Sequence, residues 1–333
     1  MPLNRILRAF SQAGTHTPAQ RRGLWACMLS GPPVLRMLVL VAVMLQAAVS
    51  QAQIRTAITS SGLGTTVAPP PAGGTVYQIT GGTRQRTNLF HSFGLFSVGT
   101  GDTASFQNTT PALTTTNILG RVTGGERSIV NGTIDALSYP GANLFLINPA
   151  GVLFGPNASL NVGGSFHVAT ADYVRFADGA KFYANLAQNS VLTLARPEAF
   201  GFLGPTPAPL IVQGSSLQVQ SGTLSLVGGD VTVQAPGALS APNGRLQLVA
   251  VGSAGEVQLN APDGTPNLKL VGFSSLGQVD LSQVPVLAGD TVLIRGSLVA
   301  AICSSASFSC YAACQRLPRV EDTTSAGEPD ARG

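Results

Sequence analysis

Apolar residues in this chain return at a fixed lag of 22 residues, and that repeat narrows the possible folds more than any other feature. Short apolar segments begin at Leu144-Phe145-Leu146 and continue through Val152-Leu153-Phe154, Leu160-Asn161-Val162, Phe166-His167-Val168, Val174-Arg175-Phe176 and Phe182-Tyr183-Ala184. In each, the first and third residues point to one side of a strand, because a strand alternates sides at every residue. Shifted by 22, Leu144 meets Phe166, Leu146 meets Val168, Val152 meets Val174, Phe154 meets Phe176, Leu160 meets Phe182 and Val162 meets Ala184. Downstream, Leu217 overlays Leu239, Leu224 overlays Leu246 and Leu226 overlays Leu248. Three strands per repeat describe one coil of a parallel β-helix, whose coils stack like upon like. A β-sandwich also uses short, turn-bounded strands, but it gives no reason for a fixed lag. The predicted interior therefore contains Leu144, Leu160, Val162, Phe166, Val174, Phe182, Leu224 and Leu246.

The corners fit. Asn148-Pro149-Ala150-Gly151 has the residue order of a type I turn, and Gly155-Pro156-Asn157-Ala158 and Ala177-Asp178-Gly179-Ala180 interrupt later strands. Asparagines at such corners can stack their amides between coils. Glycine (39) and proline (22) are abundant and only 10% of residues are charged, which suits many short strands and leaves no helical spacing. Residues 54–140 hold strand-like pieces without the clean lag, as expected of a β cap over an open solenoid end.

Residues 1–52 read as an export signal with a lead-in long enough for an extended one: Arg5, Arg8, Arg21, Arg22 and Arg36 precede the apolar run Met37 to Leu45, and small residues lead to Ala52. Without those five arginines, 14 basic residues face 15 acidic ones, so no basic surface is left for nucleic acid. The predicted organisation is a signal over 1–52, a β-helix domain over 53–300 and a tail without strand pattern over 301–333. Cys303, Cys310 and Cys314 crowd at that end, so disulfides do not hold the main domain, and their spacing lacks the partners of a zinc site.

Parallel β-helices also host polysaccharide lyases and hydrolases, which need convergent carboxylates or an acidic calcium cluster. Here no two acidic residues are adjacent before Glu321-Asp322, and the 22-residue neighbours of Asp172 and Asp178 are Leu194 and Phe200. The sequence reading is a non-enzyme without cofactor, with a polysaccharide-active enzyme as the alternative. His167 alternates with Phe166 and Val168, so it should face outward into solvent, and Arg175 and Lys181 beside turns should likewise be solvated.

The run Asn143-Leu144-Phe145-Leu146-Ile147-Asn148-Pro149-Ala150-Gly151-Val152 resembles the signature of the secretion domain in filamentous-haemagglutinin-type two-partner-secretion proteins. Ala158 to Phe166, Thr87 to Phe93, Gly120 to Gly125, Ala199 to Leu203 and Leu224 to Asp230 extend the likeness across about residues 54–295. The family's Asn-Pro-Asn-Leu motif has no match; Asn117-Ile118-Leu119 occupies its approximate place. The resemblance implies a right-handed β-helix in a Gram-negative protein. It also implies export through the periplasm to the medium or cell surface by an outer-membrane β-barrel transporter with periplasmic POTRA modules. Relatives carry adhesin-type passengers beyond this domain, where this chain stops, and host or surface glycans are candidate ligands of such passengers. By the same resemblance, Asn143, Asn148, Pro149, Gly151, Val152, Asn117 and Leu119 are candidates for transporter recognition.

Overall fold

The computed structural model describes residues 55–259, 268–281 and 284–301, and among these every regular element is a β-strand. The largest sheet has 9 strands. Its parallel core runs Asn88–Ser97, Asn117–Val122, Asn143–Ile147, Phe166–Ala169, Ser221–Gly228, Asn243–Ala250 and Val292–Arg295. A second, 6-stranded parallel sheet stacks Ser128–Val130, Val152–Phe154, Leu210–Gln213, Val231–Gln234, Gln278–Leu281 and Ser297–Ala301. The third side is divided between a sheet ending at Ser159–Asn161 and a 3-stranded sheet beginning at Ser216–Gln218. The chain visits the three sides in turn, a path consistent with the β-helix expected from the repeat. At its N-terminal end, Ala57–Gly62 and Thr83–Gln85 pair antiparallel with Asn88–Ser97, and Thr65–Ala68 pairs antiparallel with Val76–Gly81.

Inward positions stack like for like. Leu89, Ile118, Leu144, Phe166, Leu224 and Leu246 are successive ladder partners, all at most 3% exposed. Burying such a side chain contributes roughly 1.5–3 kcal/mol, and only stacked coils can do it. Coil length varies: the same corner recurs after 29 residues (Asn88 to Asn117), then 26 (to Asn143), then 22 (to Ser165). The first coils are longer because the corners before Asn117 and Asn143 carry extra residues, which hides the lag upstream of 140.

The overlay fails in one place. Leu144 and Leu146 do pair with Phe166 and Val168, but Val152 pairs with Leu210, Phe154 with Val212, and Leu160 with Ile134. After Ala169 the chain leaves the coil, forms Tyr173–Phe176, Lys181–Tyr183 and Pro197–Phe202, and returns at Leu210. The next repeat of the corner at Ser165 is Thr223, 58 residues on. A second excursion supplies Gly255–Gln258 and Lys269–Val271, and the five strands make one antiparallel side sheet.

That sheet lies on the outer side of the 9-stranded sheet, creating a second apolar core. Phe90, Leu119, Phe145, Ile147, Val227 and Val249 meet Val174, Phe176, Phe182, Phe200, Phe202 and Val257 there. Val174 and Phe182 are thus buried in this outer layer, not inside the coil. Leu160, expected inward, is only half-buried against the interior, whereas Val162 is 6% exposed.

Candidate functional site

The signature segment closes a tight corner. Gly151 N donates to Asn148 O at 3.0 Å, and Ala150 N donates to Asn148 Oδ1 at 3.0 Å. The Asn148 amide reaches back one coil, donating at 2.9 Å to both Glu126 O and Ser128 Oγ, and its side chain is buried. Asparagine fits because one side chain accepts from its own turn and donates to the coil below. Gly151 sits at φ +106, and a Cβ there would come within 3.2 Å of Pro209 O. Within Asn148–Val152 only Pro149 and Ala150 are partly exposed.

A second asparagine set forms a ladder at the neighbouring corner. Asn117 Nδ2 donates to Asn88 Oδ1 at 2.9 Å, Asn143 Nδ2 donates to Asn117 Oδ1 at 3.0 Å, and Asn143 Oδ1 accepts from Ser165 N at 2.9 Å. Asn88 Nδ2 ends the ladder on Thr193 O and Ala195 O, at 2.9 and 2.7 Å. Leu119 lies fully buried beneath the side sheet. The candidate recognition residues therefore fall into three places: a corner turn, an amide ladder and the outer core.

Other polar residues carry roles that the sequence reading missed. Arg121 is 6% exposed; Nε donates to Ser92 Oγ, and a terminal nitrogen donates to Tyr183 O at 2.7 Å and Ser190 Oγ at 3.0 Å. Its guanidinium stands 4.7 Å from the Phe182 ring centroid, and burial lowers its pKa. Arg175, expected to be solvated, bonds both Glu198 and Glu256, tying three strands of the side sheet together. Tyr173 donates to Glu256 Oε1 at 2.8 Å, and burial, then that bond, raises the phenol pKa. Lys181 sits over the Tyr173 ring, 4.3 Å from its centroid. Glu198 and Glu256 are thus committed to an ion-pair network. Among the described residues, no three His, Cys, Asp or Glu side chains gather where they could hold a metal ion.

His167 corrects an expectation. It faces outward from the coil, but the side sheet covers it: it is 7% exposed, with its ring stacked 4.4 Å from that of Phe145. Burial pushes its pKa down to about 3. The signal for a covering layer was present in the neighbouring outward positions, because Phe145, Ile147, Val227 and Val249 are all apolar. His91 points into the coil interior, where its Nδ1 lies 3.2 Å from Thr65 Oγ1.

The corner yields a direct expectation. Asn148→Ala strands the Glu126 carbonyl and should cost about 1–3 kcal/mol. Gly151→Val forces a branched side chain into a left-handed conformation against Pro209 O and should cost a similar about 1–3 kcal/mol. Urea unfolding of both variants measures this; wild-type midpoints would show that the turn contributes no stability.

No curated protein matches the chain. A family model described as "TPS secretion domain" matches residues 56–298. This is a secretion-domain family rather than an enzyme family, and membership implies export across the outer membrane with a partner transporter. The match spans the coils, the asparagine ladder, the Asn148 corner and the side sheet alike. By that match the chain belongs to the TPS secretion domain family.

Proposed function

We propose that this chain is a filamentous-haemagglutinin-like exported protein of a Gram-negative cell, whose domain of residues 53–300 directs two-partner secretion by engaging the POTRA modules of its transporter. In this reading residues 1–52 are the signal that delivers it to the periplasm, and residues 301–333 follow the domain as a tail. Both segments, with Cys303, Cys310 and Cys314, lie outside the described residues apart from Ala301, as do Gln53 and Ile54 at the start of the domain. The coil is taken as right-handed, in keeping with the strong preference of parallel crossover connections. The antiparallel strands Ala57–Gly62 and Thr65–Ala68 are taken as its cap. The chain carries no catalytic role here; adhesin-type activity and glycan binding belong to a passenger, at the surface or in the medium.

The observation that carries this reading is the family match over residues 56–298. Burial of the signature residues refines it. Asn148, Val152 and Leu119 are at most 1% exposed in the folded domain, so a transporter reads their side chains only before the coil closes. An extended segment at that stage can add to a sheet edge of the transporter and gain main-chain hydrogen bonds with little sequence demand.

Fusing residues 1–300 to a reporter and co-expressing the cognate transporter should release the reporter into the medium. Equal release without the transporter overturns the proposal. For the motif, Gly151→Val should slow refolding while retaining transporter binding. Lost binding with unchanged refolding would make the corner a contact site instead.

A further inference from the structure

The last described coil presents an apolar end face. Val292, Ile294, Leu298 and Val286 are the final inward residues of their rows, and each is only half-buried. One coil earlier, their ladder partners Leu246, Leu248, Val279 and Leu239 are fully buried. A stacked coil covers the inward side chains of the coil before it. Among the described residues, no strand follows Val292–Arg295, Ser297–Ala301 or Val286–Ala288 in its sheet. Each of the three therefore has an open edge, which a solenoid end must cover. On the third side, Leu239 N donates to Pro285 O and Gly289 N donates to Ala241 O. The alternation of a parallel ladder then turns the amides of Val286 and Ala288 toward the open edge.

The chain itself arrives at that edge. It visits the three sides in order, and Ser297–Ala301 lies on the second, so the next position to fill is beside Val286–Ala288. Earlier passages from the second side to the third, Gln213 to Ser216, Gln234 to Ala238 and Leu281 to Val286, take 3, 4 and 5 residues. The same step from Ala301 reaches residues 304–306. There Ser305, Ser307 and Ser309 alternate with Ala306, Phe308 and Cys310, although the tail as a whole has no strand pattern. Both lags found in the coils turn the apolar set inward. A lag of 22, as from Leu217 to Leu239, sets Phe308 on Val286 and Cys310 on Ala288. A lag of 20, as from Asp280 to Ala300, sets Ala306 and Phe308 there. The described chain begins at the opposite edge of the 9-stranded sheet, with Ala57–Gly62, so of the two terminal segments the tail is the one that starts at this face.

We propose that residues 304–310 cap the solenoid: they add one more parallel strand to the open edge of Val286–Ala288, with Phe308 laid over the apolar end face and the serines turned to water. The strand takes up the Val286 and Ala288 amides, and the Phe308 ring supplies the burial that a further coil would give.

Hydrogen exchange of the full chain tests this. In the wild-type chain the Val286 and Ala288 amides should exchange about tenfold or more slower than in an unstructured peptide of the same sequence. Unprotected amides at both positions overturn the proposal. Phe308→Asp should speed their exchange about tenfold or more, because it removes the burial that holds the strand down. Ser307→Asp, on the water-facing side of the same strand, should leave them within about twofold. Unchanged rates in both variants, or equal acceleration in both, overturn the cap. A second copy of the chain is the competing occupant, and sedimentation distinguishes it. The full chain should run as a monomer; a dimer that Leu298→Asp dissociates would seat a copy on the end face and overturn the proposal.

Discussion

Leu224→Asp is expected to abolish the folded domain. Leu224 is fully buried, pairs with Phe166 below and Leu246 above, and belongs to an interior cluster of apolar side chains. Its loss forfeits roughly 1.5–3 kcal/mol of burial. A carboxylate without a cationic partner adds several kcal/mol, or must take up a proton. Set against a typical net stability of about 5–15 kcal/mol, that sum removes most of what holds the coil closed. Circular dichroism on heating should show either no cooperative transition or a midpoint lower by more than about 10 °C. Leu160→Asp is the informative control. Its side chain is half-buried beside the break in the third side, so the loss should be several-fold smaller. A wild-type melt for Leu224→Asp would remove the interior assignment of this row.

Acid should weaken the domain through its two described histidines. His167 titrates near about 3 because it is buried, and His91 near about 4 because it is buried and, secondarily, because Arg84 repels its charge. Both would titrate near about 6.5 in the unfolded chain. From pH 6.5 down to about 4, the unfolded state therefore binds protons that the folded state refuses, and stability falls with pH. Their contribution is complete above pH 6.5, and below about pH 3 they subtract nothing further. Each histidine changes stability by about 1.4 kcal/mol per pH unit inside the window, so the pair approaches several kcal/mol at pH 4. Urea midpoints between pH 7.5 and 4.5 measure the slope, and His167→Phe, which keeps a ring against Phe145, should roughly halve it. An unchanged slope in that variant would show that His167 is not buried uncharged.

The repeat was legible wherever the chain stays in the coil. Leu144 with Phe166, Leu217 with Leu239 and Leu224 with Leu246 are ladder partners at the lag read from the sequence. It misled at Val174, Phe176 and Phe182. Alternation reports that one side of a strand is buried, but not which core receives it, and these residues face the outer core. His167 shows the same limit from the other direction: its outward orientation was readable, and the apolar outward neighbours Phe145, Ile147, Val227 and Val249 signal a cover, but not which strands supply it. That cover comes from Gly255–Gln258 and Pro197–Phe202, distant in sequence and paired antiparallel, so no local period announces it. The Asn148 corner was readable because its chemistry is local. The asparagine ladder was readable only in kind, since Asn88, Asn117 and Asn143 stand at unequal spacings of 29 and 26 residues.

The side sheet draws its strands from two excursions with a stretch of coil, Leu210 to Ala250, between them. A chain delivered from its N-terminus can stack each coil as it arrives, but it cannot finish this sheet in the same order. Pro197–Phe202 presents an unpaired backbone edge until Gly255–Gln258 reaches it. Open edges of this kind recruit foreign strands and lead to aggregation. Completion of the sheet late in delivery therefore closes a window of vulnerability, and the interval lasts as long as the intervening coil residues take to emerge.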